Sequence, residues 1–149
     1  MKIPYYRQTT DETCGPAAAR MILAAFGIKK SERTLAKEMK TKKRSGTRIF
    51  AFQELARRYG LRYVTKTNAS LKDLKKHLRR GYKIIVGHRY PLDRRRGHFS
   101  VIQKIDKRGV ALLDPEFGPR TKHPMEEFLS LWRKGLPENK KPWFIGFSK

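Results

Sequence analysis

The spacing of apolar positions changes about halfway along the chain. Up to Gly81 they mostly recur three and four residues apart, and from Tyr82 onward they come in short continuous or alternating runs. The first pattern predicts helices and the second strands. The Ala-rich run over residues 17–26 has high helix propensity and stops at Gly27, a natural C-cap, while Pro16 suits a first helical turn. Ser31 is the expected N-cap of a short helix carrying Leu35, Ala36 and Met39. Residues 40–46 read as a basic loop. Thr47 is the expected cap of a third helix, with Ile49, Phe52, Leu55 and Ala56 at helical spacing and Gly60 ending it. Residues 61–66 alternate and are β-rich. Ser70 and Asp73 form a capping-box-like start for a helix with Leu71, Leu74 and Leu78 on one face.

In the second half, residues 84–88 are a continuous apolar run ending at His88, as expected in the middle of a sheet. A loop over residues 91–97 is expected before a strand at 98–105, and a turn at 106–109 joins it to a strand at 110–114. Residues 115–119 read as a break. An amphipathic helix at 125–132 and a last short strand at 142–147 complete the chain. Helices first and strands afterwards, joined by short turns, predict an α+β fold with an antiparallel sheet, in one domain over residues 1–149.

Composition narrows the class. A chain of 149 residues that is 38% hydrophobic can fill one core. Its single cysteine excludes an intrachain disulfide framework and a cysteine-built zinc site. Neither a metal nor another cofactor is expected. No apolar window approaches a membrane span or a signal peptide, so a soluble cytoplasmic protein is expected. Lys and Arg number 36 against 13 Asp and Glu, a formal net charge of +23. Such a balance favours polyanionic partners, whether nucleic acid, an anionic surface or an acidic substrate.

The candidate chemistry starts at Cys14. It stands where the first helix should begin, flanked by Thr13, Gly15 and Pro16, which belong to turns and caps rather than to a core face. A helix N-terminus favours thiolate over thiol. A hairpin closed at residues 106–109 brings His98 and Asp114, whose sequence midpoint at 106 is within one pair of that turn, to the same end of the sheet, with their exact register open. An imidazole beside a carboxylate is the base and its orienter in a nucleophilic site. His77, His88 and His123 have weaker settings: a Lys-rich helix face, the end of a buried strand, and a loop before Pro124.

Gln8, Asp11 and Cys14-Gly15-Pro16-Ala17, then Gly97-His98-Phe99-Ser100-Val101-Ile102, then Leu113-Asp114-Pro115 follow one another in an order that resembles the C39 peptidases. These are papain-like cysteine proteases known for removing double-glycine leaders. The resemblance implies a papain-like fold, Cys14 as nucleophile, His98 as general base and acid, and Asp114 orienting His98. It further implies Gln8 as an oxyanion-hole side chain beside the Cys14 backbone N–H, and a peptide or protein substrate, an acidic one suiting the charge. The chain departs from the pattern at Thr13, which stands directly before Cys14 where the tightest members carry Asp.

Two other classes compete. One is a basic module for non-specific nucleic-acid binding on an inactive peptidase-like fold, in which residues 42–44 and 94–96 contact phosphates and Tyr59, Tyr63 and Tyr90 stack bases. The other is an amide- or acyl-transferring enzyme that uses the same triad.

Overall fold

A computed structural model describes residues 2–149. In chain order the elements are α1 (Cys14–Ala25), α2 (Glu32–Glu38), α3 (Phe50–Arg58), β1 (Arg62–Lys66) and α4 (Leu71–Arg79). They continue with β2 (Lys83–Tyr90), β3 (Asp93–Asp106), β4 (Gly109–Asp114), β5 (Gly118–Pro124), α5 (Met125–Arg133) and β6 (Trp143–Ser148). The six strands form one sheet in the order β1-β6-β2-β3-β4-β5. Every neighbouring pair is antiparallel. The α+β architecture read from the pattern is the one observed.

Both faces of the sheet are covered, which explains the unbroken apolar run in β2. Ile85, Val101 and Ile145 pack on one side with Met21 and Ile22 of α1, Leu35 of α2 and Phe52 of α3. Ile84, Val86, Ile102 and Leu112 pack on the other with Leu74 of α4 and Phe128 and Trp132 of α5. Each such side chain contributes about 1.5–3 kcal/mol on burial. Because β-strand side chains alternate, neighbours in sequence serve opposite cores.

Local signals explain most helix boundaries. The Ser31 hydroxyl accepts from the Thr34 N–H at 3.1 Å and starts α2. Ser70 and Asp73 complete a capping box at α4, and Asp73 accepts the Ser70 N–H at 2.8 Å. Three expectations need correction. Thr47 does not cap α3; its hydroxyl lies 2.7 Å from that of Thr41, and Ile49 occupies the cap position without a side-chain bond. The stretch from Asp93 to Gly97 is not a loop but the start of β3, so β2 and β3 form a tight hairpin in which Tyr90 pairs with Asp93. A strand, β5, occupies residues 118–124, where the sequence shows two prolines and no apolar alternation. An edge strand needs only one ladder, here with β4, and so tolerates proline and polar residues.

Candidate active site

The cysteine comes from the helical half of the chain. Cys14 is the first residue of α1 and is 8% exposed. Thr13 occupies the N-cap position but does not cap with its side chain. Its hydroxyl instead donates to the Thr10 carbonyl at 3.1 Å and accepts the Thr10 N–H at 3.1 Å. The Cys14 and Gly15 N–H groups therefore meet no side-chain cap, and the positive end of α1 stays available to an anion. Gly15 is required by contact: a Cβ there would lie 2.6 Å from Thr47 Oγ1. That contact seats residues 41–47 against the helix start.

The imidazole and the carboxylate come from the sheet. His98 Nε2 lies 2.8 Å from Asp114 Oδ1, with both residues buried. Their meeting depends on a bulge. Counted outward from the Asp106–Gly109 pair, a regular ladder would bring Asp114 opposite Val101, on the sheet face away from His98. An irregularity at Gln103 shifts the register, so that Val101 pairs with Leu113 and Asp114 falls beside Ser100. Oδ1 of Asp114 also accepts the N–H groups of Glu116 at 2.8 Å and Phe117 at 3.0 Å. One carboxylate thus starts the turn into β5 and holds the ring.

Electrostatics join the two halves. Burial alone would lower the His98 pKa, but the nearby Cys14, together with the hydrogen bond to Asp114 and its charge, raises it to about 10. Burial acts to raise the Asp114 pKa, yet its hydrogen bond and charge interaction with His98 and the two turn N–H groups bring it down to about 2. A carboxylate bonded to a buried imidazole favours the charged form of each. With Nε2 taken by Asp114, Nδ1 is the ring nitrogen left for the thiol. Tyr90 faces the His98 ring edge-on at 5.5 Å between centroids, and Phe117 stacks on Tyr90 at 5.6 Å.

Cys14 opens into a cleft of about 330 Å³. Its apolar wall is Phe99, Leu136 and Pro137, and its charged rim carries Lys43, Arg44, Arg48, Arg95 and Arg96 with Asp11, Glu12 and Glu138. Arg48 pairs with Glu138 at 3.6 Å and Arg95 with Asp93 at 3.0 Å. Leu136 sits so close to the sheet that a Cβ at Gly97 or Gly87 would lie 2.8 or 2.7 Å from its methyl carbons.

Gln8 is brought to the end of β4, where its backbone N–H bonds to the Pro115 carbonyl at 2.9 Å. Its side chain does not line the Cys14 cleft. The amide donates to the Thr10 carbonyl at 2.8 Å, and its oxygen is buried without a partner. An amide nitrogen has two N–H groups, so one donor remains. The sequence alone gives Leu136 no role, assigns Tyr90 only to base stacking and Ser100 only to the family-like strand, and sets His88 in a weak context. Ser100 and His88 were readable in principle as polar residues in step with buried apolar ones, Ile102 and Val86.

Among the described residues, no group of three His, Cys, Asp or Glu side chains is placed to hold a metal. No helix among them is long and apolar enough to cross a membrane.

The sequence profile of the Peptidase C39 family matches residues 2–136. An uncharacterized protein of Methanothermobacter thermautotrophicus is 32% identical over 111 residues, which is 74% of this chain and 70% of that protein. The peptidase domain of Streptococcus ComA, a bi-functional ABC transporter involved in a quorum-sensing pathway, superimposes with a TM-score of 0.79 at 20% identity. That match covers 99% of this chain and 98% of the domain. A double glycine motif protease from an AMS/PCAT transporter, solved with its leader peptide, gives 0.74 at 22% identity and covers 98% and 91%. A C39-like peptidase from Bacillus anthracis gives 0.76 at 19% identity and covers 99% and 95%. At these identities the solved structures share the fold.

Proposed function

The chain belongs to the Peptidase C39 family, and from that membership we propose that it is a cysteine peptidase working through Cys14, His98 and Asp114. The observation that carries the reading is the buried His98–Asp114 pair, with Cys14 at a helix N-terminus near enough to raise the pKa of its ring. His98, protonated and pinned by Asp114, keeps Cys14 as thiolate. The thiolate attacks the scissile carbonyl carbon, and the carbonyl oxygen becomes an oxyanion. The Cys14 N–H and the free N–H of the Gln8 amide serve as its donors once the side chain turns from Thr10; one such donor is worth about 3–4 kcal/mol of barrier. His98 gives its proton to the leaving amine as the C–N bond breaks. It then takes a proton from water, which hydrolyses the thioester and releases Cys14.

The substrate we propose is a peptide with small residues at the scissile bond, in the manner of a double-glycine leader. Leu136, Pro137 and Phe99 crowd the cleft beside Cys14, which favours residues without side chains there. Lys43, Arg44 and Arg96 on the rim suit acidic residues further along the peptide. Little supports nucleic acid: Tyr59 is hydrogen-bonded to Glu38, Tyr63 to Arg57, and Tyr90 to Glu116 beneath Phe117, so these rings are engaged within the fold. The test is cleavage of a synthetic peptide containing Gly-Gly within an acidic sequence. Wild type should cut after the second glycine and Cys14→Ala should not; equal cleavage by both would refute the mechanism.

A further inference from the structure

Two more polar side chains lie buried behind Asp114, on the sheet face packed against α5. His88 is 1% exposed and Ser100 is fully buried. His88 Nδ1 lies 2.8 Å from the Arg89 carbonyl oxygen. A carbonyl only accepts, so Nδ1 carries the hydrogen, and in the neutral ring Nε2 is then an acceptor. The partner of Nε2 is Ser100 Oγ at 3.0 Å. Ser100 has a second acceptor within reach, Asp114 Oδ2 at 3.4 Å. A hydroxyl has one proton and cannot serve both. The shorter contact and the buried acceptor on His88 assign that proton to His88.

The charge state of His88 fits this assignment. Burial and the neighbouring His98 lower its pKa to about 4, against the smaller opposing effects of the Arg89 carbonyl and Asp114. The titratable groups acting on it are His98 from β3, Asp114 from β4 and His123 from β5. The side chains of α5 and β6 in the adjoining core, Phe128, Trp132 and Phe144, are apolar. His88 and His98 are also direct cross-strand partners, with ring centroids 5.4 Å apart. Two imidazolium rings so close in a dry site would repel strongly. His98 can carry the positive charge only while His88 stays neutral.

We propose that His88 is a positioning residue for the catalytic pair, acting through Ser100: it draws the Ser100 proton away from Asp114 Oδ2, so that the carboxylate's charge is directed at His98. This rests on the peptidase reading for its meaning but not for its test. When an apolar residue replaces His88, the Ser100 hydroxyl turns to Asp114 Oδ2. The extra donor stabilises the carboxylate, weakens its hold on the imidazolium, and lets His98 lose its proton at lower pH.

The test follows the two rings in the intact protein by nitrogen and carbon-bound-proton NMR across a pH titration. In the wild type, His88 should remain the neutral Nδ1–H tautomer from about pH 5 up to the pH at which His98 loses its proton. An Nε2–H tautomer would overturn the proposal without any variant. His88→Leu should lower the His98 pKa by about half a unit to one unit. Ser100→Ala, which removes a proton that Asp114 was not receiving, should leave the His98 pKa in place. The double variant should return it to the wild-type value, whereas merely structural damage would add. An unmoved pKa in folded His88→Leu, or a double variant that stays low, overturns the proposal; if His88→Leu does not fold, the tautomer decides. None of these readouts needs turnover, so a Cys14 that proves unreactive would defeat the peptidase reading and leave this result standing.

Discussion

His98 Nε2 stands 2.8 Å from Asp114 Oδ1, with the two side chains 3% and 0% exposed, and that oxygen also accepts the Glu116 and Phe117 N–H groups. Asn at 114 can still accept the turn bonds through its amide oxygen, so the fold should survive Asp114→Asn. What it loses is the negative charge that holds His98 protonated. Peptide hydrolysis should fall by about a hundredfold or more, with the alkaline limb of its pH profile displaced to lower pH. An unchanged profile would mean that Asp114 serves only the turn.

Stability should decline on both sides of neutrality, for different reasons. The His98 pKa is raised from 6.5 to about 10, so its contribution is complete below 6.5 and is lost as pH rises toward 10. The His88 pKa is lowered from 6.5 to about 4, so its contribution is complete above 6.5 and is lost as pH falls toward 4. Asp114, lowered from 3.8 to about 2, adds a loss at still lower pH. Thermal midpoints measured across pH should pass through a maximum near pH 6.5. Cys14→Ser removes the charge that does most to raise the His98 pKa and should flatten the alkaline decline alone. A decline identical to wild type would contradict the assignment.

Gly97 and Gly87 keep Leu136 in the cleft wall. Gly97→Ala puts a methyl 2.8 Å from Leu136 Cδ2 and 3.0 Å from Pro137 Cδ. Overpacking of this kind costs about 1–3 kcal/mol. Urea midpoints should fall accordingly, and kcat/KM should fall further than stability explains, because the displaced wall lines the approach to Cys14. A variant that lost stability but kept full kcat/KM would remove Leu136 from the substrate path.

The capping box of α4 provides a control away from the cleft. Ser70→Ala should cost about 1 kcal/mol in urea unfolding and leave peptide turnover unchanged. Lost turnover in a folded Ser70→Ala protein would show that α4 communicates with the site.

What the sequence revealed divides along physical lines. Helix starts governed by local chemistry were legible, Ser31 and the Ser70–Asp73 box among them, and so was Cys14 at the head of α1. Asp114 starts the turn into β5 as well as meeting the imidazole, since one oxygen does both. Register was not legible, because the bulge at Gln103 adds a residue that no local signal announces. Strand β5 was hidden because an edge strand has only one ladder to satisfy. Thr47 looked like a cap, but packing against Gly15 claims it. The side-chain bond of Gln8 to the Thr10 carbonyl depends on how the N-terminal segment crosses the end of β4, which is a long-range contact.

The central claim is that Cys14 is a nucleophile made reactive by His98. Its most direct measurement is the intact mass of the protein after brief treatment with iodoacetamide at neutral pH, in wild type and in His98→Ala. Wild type should gain one carbamidomethyl group, mapped to Cys14, within minutes, and His98→Ala should react about ten times more slowly or less. Equal labelling rates in the two proteins, or a wild-type Cys14 that stays unlabelled while folded, would contradict it.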